Sequence, residues 1–179
     1  CSIVEEMLSL ETAIRISGDA ALGDQLEKIS FNALPAGLAN NIKGIQYYTL
    51  PNNVIVTNGG HGFNQDYANG TLPGPNSGYP CCRYNFHMGW PKLVQNSWAA
   101  TDDGGLAVMA YSPTVVNALA GGQQVAITED TAYPFEEQVR LRIFAGGVVS
   151  FPLRLRVPGW CSNATISVNG QMQAGVNAG

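Results

Sequence analysis

The chain has 179 residues, 45% of them apolar, enough to bury a real core in one domain or two small ones. Its 9 basic residues against 13 acidic ones give a net charge of -4 with no Lys/Arg cluster, which speaks against a nucleic-acid partner. No apolar run approaches the roughly 20 residues that cross a bilayer, so no membrane partner is expected either.

The sequence begins at Cys1 inside what already reads as helix. Over residues 3–17, Val4, Met7, Leu8, Ala13 and Ile14 recur at helical spacing, with Ile3, Leu10 and Ile16 widening the stripe. Gly18 supplies a stop and Asp19 an N-cap for a second helix. That helix sets Leu22, Leu26, Ile29 and Ala33 on one face and is expected to end at Pro35. The two form an antiparallel hairpin that cannot enclose a core alone. Together with an end at Gly179 that has no closing element, this leads us to expect a fragment of a longer protein.

Residues 45–57 read as two short extended segments around Pro51-Asn52-Asn53. Residues 58–80 are a long Gly-, Asn- and Pro-rich loop of the kind that is commonly functional or disordered. Residues 82–100 regain helical character, with Pro91 placed to open a helix and Trp98 on its apolar stripe. Beyond Asp102-Asp103-Gly104-Gly105 the period changes to 2. Strands are expected over 106–111, 114–119 and 123–128. A fourth has Arg140 and Arg142 alternating with Val139, Leu141 and Ile143; a fifth has Arg154 and Arg156 alternating with Phe151, Leu153, Leu155 and Val157. A last one over 165–169 turns at Asn169-Gly170. The sum is an α+β chain whose second part is an antiparallel β-sandwich, with a boundary at 102/103.

The chemistry-bearing stretch is Cys81-Cys82-Arg83-Tyr84-Asn85-Phe86-His87. A bond between adjacent cysteines closes almost no loop and removes little unfolded-chain entropy. Two thiolates facing one metal ion or one substrate make more sense; the alternative is that the cysteines, Cys1 and Cys161 included, are free and buried as small hydrophobes. Cys161 is expected to be a free thiol. His87 is either a further ligand or a helix-packing histidine, and His61 is a solvated loop residue. Trp90 and Trp98 are candidate stacking platforms for a ligand, but Trp98 falls on the apolar stripe and reads as core. Asn69-Gly70-Thr71 and Asn163-Ala164-Thr165 fit the glycosylation sequon, which matters only in a eukaryotic secretory context.

Residues 1–34, the Cys81-Cys82 pair followed by Asn85, residues 104–111, and Arg156-Val157-Pro158-Gly159-Trp160 together resemble glycoside hydrolase family 127, typified by bacterial β-L-arabinofuranosidases. The resemblance implies the last helices of an (α/α)6 barrel in residues 1–102 and part of a β-sandwich in 103–179. It implies zinc held by Cys1, Cys81 and Cys82, with a glutamate upstream of Cys1, and Cys81 as the nucleophile of a retaining glycosidase. Three thiolates could hold zinc with water as fourth ligand, or Cys1 could form a disulfide with Cys81 or Cys82. The acid/base glutamate would lie outside this chain. Glu27 falls near a sugar-contacting position, against the alternative of a surface helix carboxylate. The implied partner is a plant-derived arabinofuranoside, and an exposed barrel edge would allow a homo-oligomer. Localisation is left unassigned, with a bacterial periplasmic or secreted parent as one option, and the isolated fragment is expected to be inactive. Two other readings stand beside this one: a noncatalytic carbohydrate-binding or structural module, and a thiol hydrolase using Cys81 with His87.

Overall fold

The structure, a computed structural model, describes residues 1–49, 56–60, 62 and 67–176. The extended segments and turn expected at Leu50, Pro51-Asn52-Asn53, Val54 and Ile55, and the loop residue His61, lie outside the described residues.

Helix α1 (Ser2–Ser17) buries Met7, Leu10, Glu11 and Ile14, one face at i, i+3, i+4 and i+7. Gly18 ends it in the left-handed conformation (φ 68°), its N–H donating to the Ile14 carbonyl at 2.8 Å. The N-cap of α2 (Ala21–Lys28) is Ala20 rather than the expected Asp19, which stands one residue earlier and accepts from the Ala21 N–H at 3.0 Å. Here the structure departs from expectation. The helix does not stop at Pro35 but passes through a π-helical turn, Ile29–Ala33, into α3 (Leu34–Ala36). In that turn the Leu34 N–H reaches back five residues to the Ile29 carbonyl. The ring of Pro35 therefore enters where the regular i to i−4 ladder has already been widened.

Residues 58–80 form the long connection as expected, with no helix or strand among the described ones. It leads into α4 (Cys81–Phe86) and α5 (Gly89–Gln95). Pro91 is the third residue of α5 rather than its first, within the turn whose N–H groups have no intrahelical partner anyway. The expected helix over 82–100 is also too long, because Trp98–Ala100 is strand β1. Ser97 explains the switch. Its hydroxyl donates to the Val94 carbonyl at 2.9 Å and closes the helix, while its own carbonyl accepts from the Met109 and Ala110 N–H groups at 2.8 and 3.3 Å.

β1 pairs antiparallel with β2 (Leu106–Val108), and β2 pairs with β6 (Leu153–Leu155). That second pairing is parallel, so the expectation of a purely antiparallel arrangement fails in this sheet. A second sheet is antiparallel in the order β3 (Thr114–Ala120), β4 (Gln123–Thr131), β5 (Val139–Ala145). The β3–β4 turn uses Gly121 and Gly122 at φ 55° and 77°. A separate hairpin, β7 (Ile166–Val168) and β8 (Gln171–Gln173), turns at Asn169-Gly170 with φ 52° and 83°, the chemistry that pair of residues supplies.

Two cores result. The first joins Met7, Leu10, Ile14, Leu26 and Leu34 of the hairpin to Leu93 of α5 and to Met109 and Ala110 just past β2. The hairpin's missing neighbours are thus partly supplied by the chain itself. The second lies between the two larger sheets, with Leu106, Ala120, Val125 and Ile127 buried and Trp98, Val116, Leu141 and Leu153 packed against them.

Candidate active site

Cys1 is the N-cap of α1, and Cys81 and Cys82 form the first turn of α4. What brings these ends together is the packing behind them. Gly89, at the start of α5, lies so close to the hairpin that a Cβ there would fall 2.6 Å from Leu34 Cδ2 and 3.6 Å from Val4 Cγ2. Trp90 donates its indole N–H to the Ser30 carbonyl at 2.9 Å, inside the π-helical turn, and packs edge-on against Phe86 with centroids 5.8 Å apart. Trp90 therefore anchors the cysteine segment onto the hairpin.

The three thiols converge. Cys1 Sγ lies 3.6 Å from Cys82 Sγ, Cys81 Sγ lies 3.9 Å from Cys82 Sγ, and all three sulfurs fall within 4.8 Å of one another. Four tetrahedral sulfurs at about 2.3 Å from one zinc ion would stand about 3.8 Å apart, which the two separations to Cys82 match. They are contacts and not bonds, and all four cysteines of the chain are free, Cys161 among them as expected. The Cys1 nitrogen donates to Cys82 Sγ at 3.3 Å, and the Asn85 amide donates to Cys1 Sγ at 3.6 Å and to the Cys81 carbonyl at 2.8 Å. Burial pushes the Cys82 thiol above its ordinary range, and Cys81 adds to the rise. Unaided, the site therefore disfavours a Cys82 thiolate, which a bound dication would reverse.

The loop before the pair has a polar frame of its own. The Gly70 carbonyl accepts from the N–H groups of Tyr47 and Tyr48, and Ser77 Oγ accepts from the Tyr47 N–H at 3.1 Å while donating to that same carbonyl. A Cβ at Gly70 or Gly78 would lie 2.5 and 2.4 Å from the Tyr48 and Tyr47 rings. The loop thus grips the two tyrosines, and the Tyr47 carbonyl lies 3.8 Å from Cys82 Sγ. Burial raises the Tyr47 phenol, and the neighbouring Cys81 raises it further.

His87 is exposed and takes no part in the metal-ligating group found among the described residues, so neither the ligand nor the packed-histidine reading fits it. Glu27 is not a surface carboxylate: it is 5% exposed, ion-paired to Arg156 and accepting from Tyr133 Oη at 2.8 Å. Burial pushes its carboxyl upward, with Arg156 and then Tyr133 opposing. Arg156 itself corrects a second expectation. β6 ends at Leu155, so the period-2 alternation that would turn Arg156 outward stops one residue short. Its buried guanidinium donates to the Met109 carbonyl (2.9 Å), to Asp24 (2.6 Å) and to Glu27, while its carbonyl accepts from Tyr111 Oη at 2.6 Å. The Gly159 N–H adds a bond to Asp24 Oδ2 at 2.9 Å. The Arg156–Trp160 motif is therefore a clamp from the β part onto α2, a role the sequence pattern did not disclose. Glu129 is a second missed group. Buried on β4, it accepts from Trp98 Nε1 (3.0 Å), the Ser112 N–H (2.9 Å) and Thr114 Oγ1 (3.1 Å).

Residues 105–178 match the family model described as beta-L-arabinofuranosidase, GH127 middle domain. No curated protein matches the chain. Among solved structures, a protein described as a glycoside hydrolase matches with a TM-score of 0.77 at 19% identity, over 99% of this chain and 29% of its own. A GH127 beta-L-arabinofuranosidase from Geobacillus stearothermophilus T6 matches with a TM-score of 0.69 at 21% identity, over 95% of this chain and 26% of its own. A GH127 beta-arabinofuranosidase matches with 0.70 at 21% identity, over 99% and 28%. The chain thus spans between a quarter and a third of the length of these structures and shares their fold over nearly all of itself. The resemblance to glycoside hydrolase family 127 read from the residues is shown.

Proposed function

From the GH127 middle domain at residues 105–178, we propose that the chain is part of a retaining glycoside hydrolase acting on an arabinofuranoside, with Cys81 as nucleophile and zinc held by Cys1, Cys81 and Cys82. The observation that carries this reading is the convergence of three sulfurs, two of them 81 positions apart in sequence, with both separations to Cys82 near those around one tetrahedral ion. We keep the division into a helical-barrel part at 1–102 and a sandwich part at 103–179 as part of the proposal.

Zinc would supply the positive charge that keeps the thiols ionised near neutral pH. The Cys81 thiolate attacks the anomeric carbon, a C–S bond forms and the glycosidic C–O bond breaks, with a carboxylic acid from outside this chain protonating the leaving oxygen. Water, giving its proton to the resulting carboxylate, then attacks the same carbon and the C–S bond breaks, restoring the thiolate. Cys81 suits this part because, among the described residues, no N–H group reaches its sulfur, whereas the Cys1 nitrogen donates to Cys82 and the Asn85 amide to Cys1. Both oxygens of Glu27 are held by protein donors, which favours a structural job for it over the sugar contact that the resemblance implies.

The test is turnover of an aryl β-L-arabinofuranoside by the full protein and its C81A variant. Loss of the nucleophile removes several orders of magnitude in kcat, and the wild type should yield a peptide at Cys81 carrying one pentosyl group when quenched during turnover. Turnover by C81A at the wild-type rate would reject the nucleophile, and absence of any arabinofuranosidase activity in the wild type would favour a noncatalytic module.

A further inference from the structure

We propose that Asn85 is a positioning residue that sets the division of labour among the three sulfurs, holding Cys1 through an N–H to sulfur hydrogen bond and leaving Cys81 the most electron-rich of the three. This rests on the metal and nucleophile assignments of the preceding section. The orientation of the Asn85 amide is settled by its partner: only the nitrogen end can donate to the Cys81 carbonyl, 2.8 Å away and four residues back along α4. The second hydrogen of that nitrogen is then free for Cys1 Sγ at 3.6 Å, on the other helix. One side chain thereby ties the first turn of α4 to the start of α1. A donor on a thiolate draws off its charge and fixes the direction of its lone pairs, which eases the repulsion of three thiolates around one dication. Cys82 takes an N–H from Cys1 nitrogen at 3.3 Å, and Cys1 takes one from Asn85. Among the described residues no nitrogen donor reaches Cys81 Sγ, so donors fall on the two sulfurs that only hold the ion and spare the one that attacks.

The experiment is cobalt(II) titration of the metal-stripped full protein, read by the sulfur-to-cobalt absorption band. N85S is the decisive variant, because a serine hydroxyl can still bond the carbonyl four residues back and preserve α4 but is too short to reach Cys1 as well. N85S should bind cobalt on the order of 10–100-fold more weakly than wild type, with its absorption band moved to longer wavelength as the thiolate loses its donor. N85Q, which keeps an amide donor, should recover part of that loss. Wild-type affinity and an unmoved band in N85S would overturn the role of Asn85 while leaving the metal site intact. Equal loss in N85S and N85Q would also overturn it, by showing that shape and not the donor matters. A wild type that takes up cobalt with no sulfur band would reject the metal site itself.

Discussion

Replacing Arg156 by Met isolates the clamp that joins the β part to the helical hairpin. The side chain of Arg156 is 3% exposed and that of its partner Glu27 is 6% exposed, so R156M would strand a carboxylate away from water. Removing one member of a buried pair costs about 3–5 kcal/mol. At about 2–4 °C per kcal/mol for a chain of this size, that is a fall of about 6–20 °C in melting temperature. Asp24, whose side chain is 32% exposed, adds less because solvent can take over. The cause can be checked by R156M/E27Q, which removes the stranded charge and should recover most of the loss. pH gives a second check. Burial already raises the Glu27 carboxyl against the pull of Arg156, and R156M removes that pull. A carboxyl raised in the folded state binds more protons there than in the unfolded chain, so stability falls as pH rises above the unfolded value of about 4.3. R156M should therefore be least impaired near pH 4 and progressively worse toward neutrality. The assay is thermal and urea unfolding of the three proteins across that range. A loss below about 1 kcal/mol, or a double variant no better than R156M, would refute the clamp, since either would mean that no charge had been stranded.

A Cβ at Gly23 would lie 2.7 Å from Arg156 Cδ and Nε, and the guanidinium is held too firmly to yield. G23A should cost about 1–3 kcal/mol by unfolding and much less in an R156M background. Glu11 is 1% exposed, with Oε2 bonded to Asn96 at 2.8 Å and Oε1 without a partner among the described residues; burial raises its carboxyl. E11Q should gain on wild type as pH rises from about 4.3 toward 7, by about 1.4 kcal/mol for each unit by which the carboxyl is raised; identical pH profiles would reject this. E129Q swaps one acceptor oxygen for a donor among Trp98, Ser112 and Thr114, all of which donate, and should cost about 1–3 kcal/mol in denaturant midpoint.

What the residues disclose follows from how local the cause is. The hairpin is legible because its apolar period and Gly18 stop act within one or two turns of chain. Asn169-Gly170 and Gly121-Gly122 likewise mark their turns by backbone chemistry alone. Trp98–Ala100 is a short apolar run that suits helix and strand equally, and the pairing that decides it comes from Leu106–Val108. The π-helical turn around Ser30 offers a carbonyl to the Trp90 indole, a partner far along the chain that no reading of helix propensity includes. Arg156 fits an alternating strand pattern and sits where that pattern stops. Glu27 beside Lys28 looks like a polar helix face until Arg156 and Tyr133 arrive from the β part. The thiol convergence shows the same limit: adjacency made Cys81 and Cys82 suspicious, but only the family resemblance brought Cys1 to them before the fold did.

The most direct measurement is the zinc content of the full protein, wild type against a variant with Cys81 and Cys82 both changed to Ser. One zinc per chain in the wild type and none in the variant is the expected result. Zinc retained after both thiols are gone would contradict the account.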